Sequence, residues 1–201
     1  MIRCVISDLG RVILHFDNTI FYEKIAECSS FSKEGIKELV HIHFGLIKSF
    51  DRGEMTPQEF YARVIKTLQA NIDYDDFYSI YNNVFSVNPT VLDIMKRLKQ
   101  NYKLLLLSNT DVMRFGFIRK RFPEILIFDD YILSYEVGSI KPEAQIYKEA
   151  LRRAEFHAQH CLFIDDIQEN VEAARELGIQ AIQMEPQTDL GAALTDMGLS
   201  F

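Results

Sequence analysis

The chain has 201 residues, of which 48% are hydrophobic and 25% charged, with a net charge of −7 and a pI near 5.3. That balance belongs to a globular chain with a full core and excludes an intrinsically disordered one. The acidic charge and the lack of a long Lys/Arg run exclude a general nucleic-acid binder, and no apolar run reaches the length of a membrane span.

The N-terminal residues 2–7, I-R-C-V-I-S, form a short apolar run suited to a buried parallel strand. The start of the chain lacks the pattern of a secretory leader. From about His15 to Ser86 the texture changes, and no convincing strand is present. Ile36, Leu39, Val40, Phe44 and Ile47 follow helical spacing, with His43 on the same apolar stripe. Thr56-Pro57-Gln58-Glu59 is a capping box with proline at N1, opening a helix whose inner face holds Phe60, Val64 and Leu68. Phe77, Ile80, Tyr81 and Val84 make a further stripe. Asn88-Pro89-Thr90 then starts a helix that leads back toward strands.

Apolar runs recur at Lys103–Leu107, Tyr131–Leu133, Cys161–Ile164 and Ile179–Met184. Helical patterns separate them: Val112, Phe115 and Ile118; Ile146, Tyr147, Ala150 and Leu151; Val171, Ala174 and Leu177, closed by Gly178. Arg119-Lys120-Arg121 reads as a solvated helix end. The alternation predicts an α/β fold, a doubly wound parallel sheet of Rossmann-like type with an inserted α-helical cap. The expected division is a catalytic core of residues 1–14 and 87–201 and a helical cap of residues 15–86, with the site between them. Cys4, Cys28 and Cys161 are odd in number and widely spaced, which fits neither a zinc site nor a disulfide scaffold. Cys4 and Cys161 read as buried thiols, so a reducing, cytoplasmic compartment is expected.

In an open parallel sheet, ligands bind beyond the carboxyl ends of the strands. There the sequence places Asp8, Ser108-Asn109, Lys141 (in Gly138–Glu143) and Asp165-Asp166. Two carboxylates about 4 Å apart at an effective dielectric of about 20 repel by on the order of 4 kcal/mol. Asp8, Asp165 and Asp166 therefore need a cation or protonation to persist together, and as a metal site the all-oxygen set suits Mg2+ better than zinc. Ser108, the backbone N–H of Asn109 and Lys141 can hold a phosphate. A carboxylate facing a bound phosphoryl group can attack it to give an aspartyl-phosphate.

These elements resemble the four motifs of the haloacid dehalogenase-like superfamily: C-V-I-S-D-L-G-R-V-I (4–13), L-L-L-L-S-N-T (104–110), S-I-K-P-E (139–143) and L-F-I-D-D-I-Q-E-N (162–170). The resemblance implies that Asp8 is the nucleophile and a magnesium ligand. It implies that Gly10 lends the metal its carbonyl oxygen and that Asp166 binds it directly. Asp165 supports it through a water or hydrogen bonds, and Ser108, Asn109 and Lys141 hold the phosphate. Gly10 departs from the usual motif, which carries an acid/base aspartate at that position. The pattern D-L-G-x-V resembles the branch of bacterial α-D-glucose-1-phosphate phosphatase and the N-terminal phosphatase domain of soluble epoxide hydrolase. D-R-G-E-M-T (51–56) and K-P-E-A-Q-I-Y (141–147) look like the bacterial member. The expected activity is thus hydrolysis of a small phosphate monoester such as α-D-glucose 1-phosphate, with neither nucleic acid nor membrane as partner. A non-catalytic phospholigand-binding protein and a metal-independent haloacid dehalogenase are the alternatives. A signalling receiver uses similar parts, but in another order and without the helical insertion. Substrate identity is expected to lie in the cap, where nothing is diagnostic: Phe16, His41, His43, Phe44, Lys48 and Arg52 could face the cleft, but each reads first as a structural or solvated residue.

Overall fold

The computed structural model describes residues 1–201. In chain order its main elements are β1 (Cys4–Ser7), β2 (Leu14–Phe16), α1 (Asn18–Ala26), α2 (Lys33–Ile42), α3 (Phe44–Asp51), α4 (Pro57–Leu68), α5 (Tyr74–Asn82), β3 (Phe85–Val87) and α6 (Pro89–Leu98). There follow β4 (Lys103–Ser108), α7 (Val112–Arg121), β5 (Asp130–Leu133), α8 (Ser134–Val137), α9 (Ala144–Ala154), β6 (Cys161–Asp165), α10 (Gln168–Glu176), β7 (Gln180–Gln183) and α11 (Leu190–Asp196).

The five core strands form a parallel sheet in the order β5-β4-β1-β6-β7. Alternate side chains of the buried strands serve opposite faces, as the pleat requires. Val5, Leu104, Leu106, Leu162 and Ile164 pack with α6, α7 and α11 on one face. Cys4, Ile6, Leu105, Leu107 and Phe163 pack with α9 and α10 on the other. This is the doubly wound architecture read from the sequence. β1 is central, because the chain passes from it to β4 on one side and returns to β6 on the other, and such a switch point opens a crevice at the strand ends. Cys4 and Cys161 face each other in the β1–β6 register, both buried and free, as expected of apolar-run thiols.

Helices α1–α5 gather around a third apolar cluster that includes Phe21, Ile25, Ile36, Phe50, Phe60, Leu68, Phe77 and Tyr81. Phe50 and Phe60 stack at 4.1 Å, and Phe77 and Tyr81 at 5.5 Å. The capping box of α4 forms as read: Thr56 Oγ1 accepts from Glu59 N at 3.2 Å, and Glu59 Oε2 accepts from Thr56 N at 2.8 Å.

Three local expectations are corrected. β2 and β3 pair antiparallel, His15 opposite Ser86, where no strand was expected. Each is too short to show alternation, and the pairing depends on residues far apart in sequence. The expected cap limits, 15 and 86, therefore fall inside this ribbon. The stripe through Phe44 is two helices broken at His43, which leaves the helical region (φ −96, ψ 22), so His43 and Phe44 are exposed. On α7, Val112 is exposed and Met113 is buried instead, in the third cluster.

Candidate active site

Asp8 follows the last residue of β1, and its backbone N–H donates to Ile164 O at 2.8 Å, which extends the β1–β6 pairing to the carboxylate itself. Asp165 ends β6, Ser108 ends β4, and Lys141 sits in the turn between α8 and α9. The sheet thus brings to one edge residues that the sequence holds far apart. One oxygen from each of Asp8, Asp165 and Asp166 lies within 4.8 Å of the others.

Lys141 Nζ donates to Asp8 Oδ1 at 2.5 Å, to Asp165 Oδ2 at 2.7 Å and to Leu107 O at 3.1 Å. Asp8, Lys141 and Asp165 are 7%, 4% and 0% exposed, so water offers them almost no screening. Burial pushes the Asp8 carboxyl up to about 7; Lys141 pulls it down and Asp165 adds to the rise. Burial works against the charge of Lys141, but Asp165 and Asp8 hold its pKa above the ordinary lysine value. Asp166 is raised by burial and by Asp165.

Asp165 and Asp166 divide the labour. Asp165 Oδ1 accepts from Ile167 N at 2.8 Å and from Asn170 Nδ2 at 3.0 Å, so both its oxygens are engaged. Asp166 reaches only Arg11 Nη1, at 3.7 Å. Three carboxylates against one buried lysine leave excess negative charge, and an all-oxygen donor set of this kind fits a divalent cation. The backbone bonds after Asp8 run from Arg11 N to Leu14 O and from Ile13 N and Leu14 N to Leu9 O, none of which uses the Gly10 carbonyl.

Asn109 has a contact beyond the phosphate role expected of it. Its side chain clamps the lysine turn, accepting from Lys141 N at 2.7 Å and donating to Lys141 O at 3.0 Å. Asn170 was quoted in the fourth motif without a role; its contact with Asp165 shows one, and its place five residues on, in the first turn of α10, was the available signal. Arg11, in the first motif, has a left-handed φ of 56, and its guanidinium lies 5.0 Å from the centre of the Phe16 ring. A Cβ on Gly10 would meet Phe16 Cε1 at 3.2 Å, so the aromatic ring occupies the flank where a longer side chain would stand. Among the cap candidates, Arg52 pairs with Glu143. His41, His43 and Phe44 are exposed, and Lys48, also exposed, lies over the Phe44 ring.

A parallel sheet with paired acids, a lone acid, a hydroxyl and a lysine at one edge defines a hydrolase of the phosphate-handling α/β type. The model of the haloacid dehalogenase-like hydrolases matches residues 22–178, and the chain belongs to that family. D-ribitol-5-phosphate phosphatase of Bacteroides thetaiotaomicron is 24% identical over 202 residues, covering 97% of this chain and 98% of that protein. Bifunctional epoxide hydrolase 2 of Rattus norvegicus is 37% identical over 70 residues, 35% of this chain and 12% of that protein. Among solved structures, a wild-type HAD family enzyme from Bacteroides thetaiotaomicron, in complex with magnesium and inorganic phosphate, superposes with a TM-score of 0.83. It shares 26% identity and covers 96% of this chain and 99% of its own.

Proposed function

We propose that this protein is a magnesium-dependent phosphatase that cleaves a small sugar or polyol phosphate monoester through an aspartyl-phosphate on Asp8. The observation that carries this reading is the meeting of Asp8, Asp165, Asp166 and Lys141 at the open edge of the sheet. The named relatives, one a phosphatase and one holding magnesium and phosphate, support it. Asp8, Asp166 and the Gly10 carbonyl would hold the Mg2+, which would supply positive charge against the phosphate oxygens. Asp165 keeps Lys141 and Asn170 in place beside them. Ser108 and the Asn109 N–H bind the phosphoryl oxygens, and Lys141, turned by its Asn109 clamp, faces the same group. An Asp8 carboxylate oxygen attacks phosphorus and the ester P–O bond breaks, the electron pair leaving with the alcohol oxygen. Water then attacks the same phosphorus, the acyl phosphate P–O bond breaks, and Asp8 is restored.

Residues 1–14 and 87–201 act as the catalytic core and residues 15–86 as the cap that covers the substrate. The three free thiols favour a reducing, cytoplasmic setting. No helix is long and apolar enough to cross a membrane.

Gly10 shapes the substrate choice. General acid catalysis contributes about 10²–10⁴-fold in rate, and Gly10 offers no acid to the departing oxygen. An anomeric oxygen is a weaker base than that of a primary alcohol, so α-D-glucose 1-phosphate fits better than a 6-phosphate or a pentitol 5-phosphate. A phosphate-release screen with and without magnesium, over these esters and a series of graded leaving-group pKa, tests both parts. We expect rates to rise with leaving-group acidity. A flat dependence of the single-turnover rate would show that another donor replaces the missing acid.

A further inference from the structure

The D-R-G-E-M-T segment (51–56) begins at the end of α3, and Arg52 and Gly53 meet two separate parts of the core. Arg52 Nη2 donates to Glu143 Oε1. The other Glu143 oxygen accepts from Ser139 Oγ at 2.8 Å and from Ile140 N at 3.3 Å. Glu143 therefore closes the turn in which Lys141 stands, while Asn109 clamps Lys141 from the opposite side.

Asp51, one residue earlier, makes no hydrogen bond or ion pair there but feels the charges of Asp111 and Arg114 at the start of α7. Tyr81 from the helical layer donates to Asp111 Oδ2 at 2.8 Å, while Asp111 Oδ1 caps α7 through Met113 N and Arg114 N. Gly53, one residue later, has φ +72, and a Cβ there would stand 2.3 Å from Tyr135 O in α8. That is backbone packed directly on backbone, which only glycine permits.

A lone half-exposed ion pair contributes little. This one differs because its acceptor is oriented by the lysine turn and its donor is followed by the close backbone contact of Gly53 on Tyr135. We infer that Asp51-Arg52-Gly53 seats the helical layer on the phosphate site, and that Arg52 is a positioning residue for Lys141, acting through Glu143. The inference rests on the phosphatase reading only for its effect on rate; the coupling of Arg52 to the lysine turn stands on geometry alone. Arg52 bonds to Glu143 and is not among the hydrogen-bond partners of Asp8, Lys141 or Asp165. When its pull on Glu143 is lost, the turn relaxes and the ammonium drifts from its place between Asp8 and Asp165.

The test compares wild type, Arg52→Ala, Arg52→Lys, Glu143→Ala and the Arg52→Ala/Glu143→Ala pair. Each is assayed with p-nitrophenyl phosphate and magnesium, and by hydrogen exchange of peptides covering the Ser139–Glu143 turn. Misplacing a catalytic group by about 1 Å can cost about 10²-fold. We expect Arg52→Ala to lose about tenfold or more in kcat with KM within about threefold. Exchange in the turn should quicken while β1 exchange stays unchanged. The double variant should be no slower than Glu143→Ala, since one coupling is removed by either change. Arg52→Lys should recover part of both signals. Unchanged turn exchange in Arg52→Ala, or additive losses in the double variant, would overturn the inference. If wild type cleaves no phosphate ester at all, the phosphatase reading fails, and the exchange measurement still decides the coupling.

Discussion

Lys141 places one positive charge between two buried carboxylates, and the balance of the site turns on it. Removing one partner of a buried ion pair costs about 3–5 kcal/mol, because the other charge stays buried and uncompensated. Lys141→Met should therefore lower the unfolding free energy by an amount of that order, read as a lower denaturation midpoint. Magnesium should raise the midpoint of the variant more than that of wild type, because the acid cluster is then short of one cation. Equal magnesium shifts in both proteins would contradict the cluster as the metal site. Asp165 and Asp166 should separate by readout. Both Asp165 oxygens are committed to protein donors, so Asp165→Asn should cost stability without metal. Asp166 has one long contact, to Arg11, so Asp166→Asn should fold like wild type and bind magnesium more weakly by calorimetry. The reverse pattern would exchange their roles. Gly10→Asp probes the missing acid, but its Cβ presses on Phe16, so Phe16 must be shortened in the same protein for the carboxylate to fit.

Between elements, the end of α3 carries a half-buried acid, its Oδ1 shut off from water, that sequence patterns do not reveal. Burial pushes Asp51 up to about 7, with Asp111 adding to the rise and Arg114 opposing it, and its Oδ1 has no hydrogen-bond partner. The folded-state value lies above the unfolded one. The stabilising contribution is thus full below about pH 4 and is lost as pH rises through about 7. At about 1.4 kcal/mol per pKa unit, the loss is bounded at about 4 kcal/mol. Asp51→Asn removes this dependence, so the variant should gain on wild type between pH 5 and pH 8 in denaturant unfolding, assay values set at about those pH values. An identical pH dependence for the two proteins would mean that Asp51 ionises freely. The same scale shows what sequence patterns carry. The α4 capping box is a four-residue signal and was legible in full. The β2–β3 ribbon was not, because three-residue strands show no period and their pairing is set by the whole fold. The break at His43 was hidden because apolar spacing continues across it, although the helix axis does not.

At the scale of the molecule, the order of strand-end residues made the core and the site readable together. Asp8, Ser108, Asp165 and Asp166 each end or follow a run whose burial on both faces favours parallel pairing, parallel pairing fixes which ends meet, and Lys141 enters the same edge from the turn between α8 and α9. What the sequence did not disclose are the contacts made by long side chains across that edge: Arg52 on Glu143, Arg11 over Phe16 and the Asn109 clamp on Lys141. Such contacts depend on rotamers and on the seating of one layer against another, which no local spacing encodes. The central claim is that Asp8 attacks phosphorus at a magnesium site. The direct measurement is inorganic phosphate released from α-D-glucose 1-phosphate and p-nitrophenyl phosphate by wild type and by Asp8→Asn, each with magnesium and with a chelator. The account predicts release by wild type with magnesium alone, and none above the uncatalysed rate from Asp8→Asn, which remains folded. Undiminished release by Asp8→Asn, or full wild-type activity in the chelator, would contradict it.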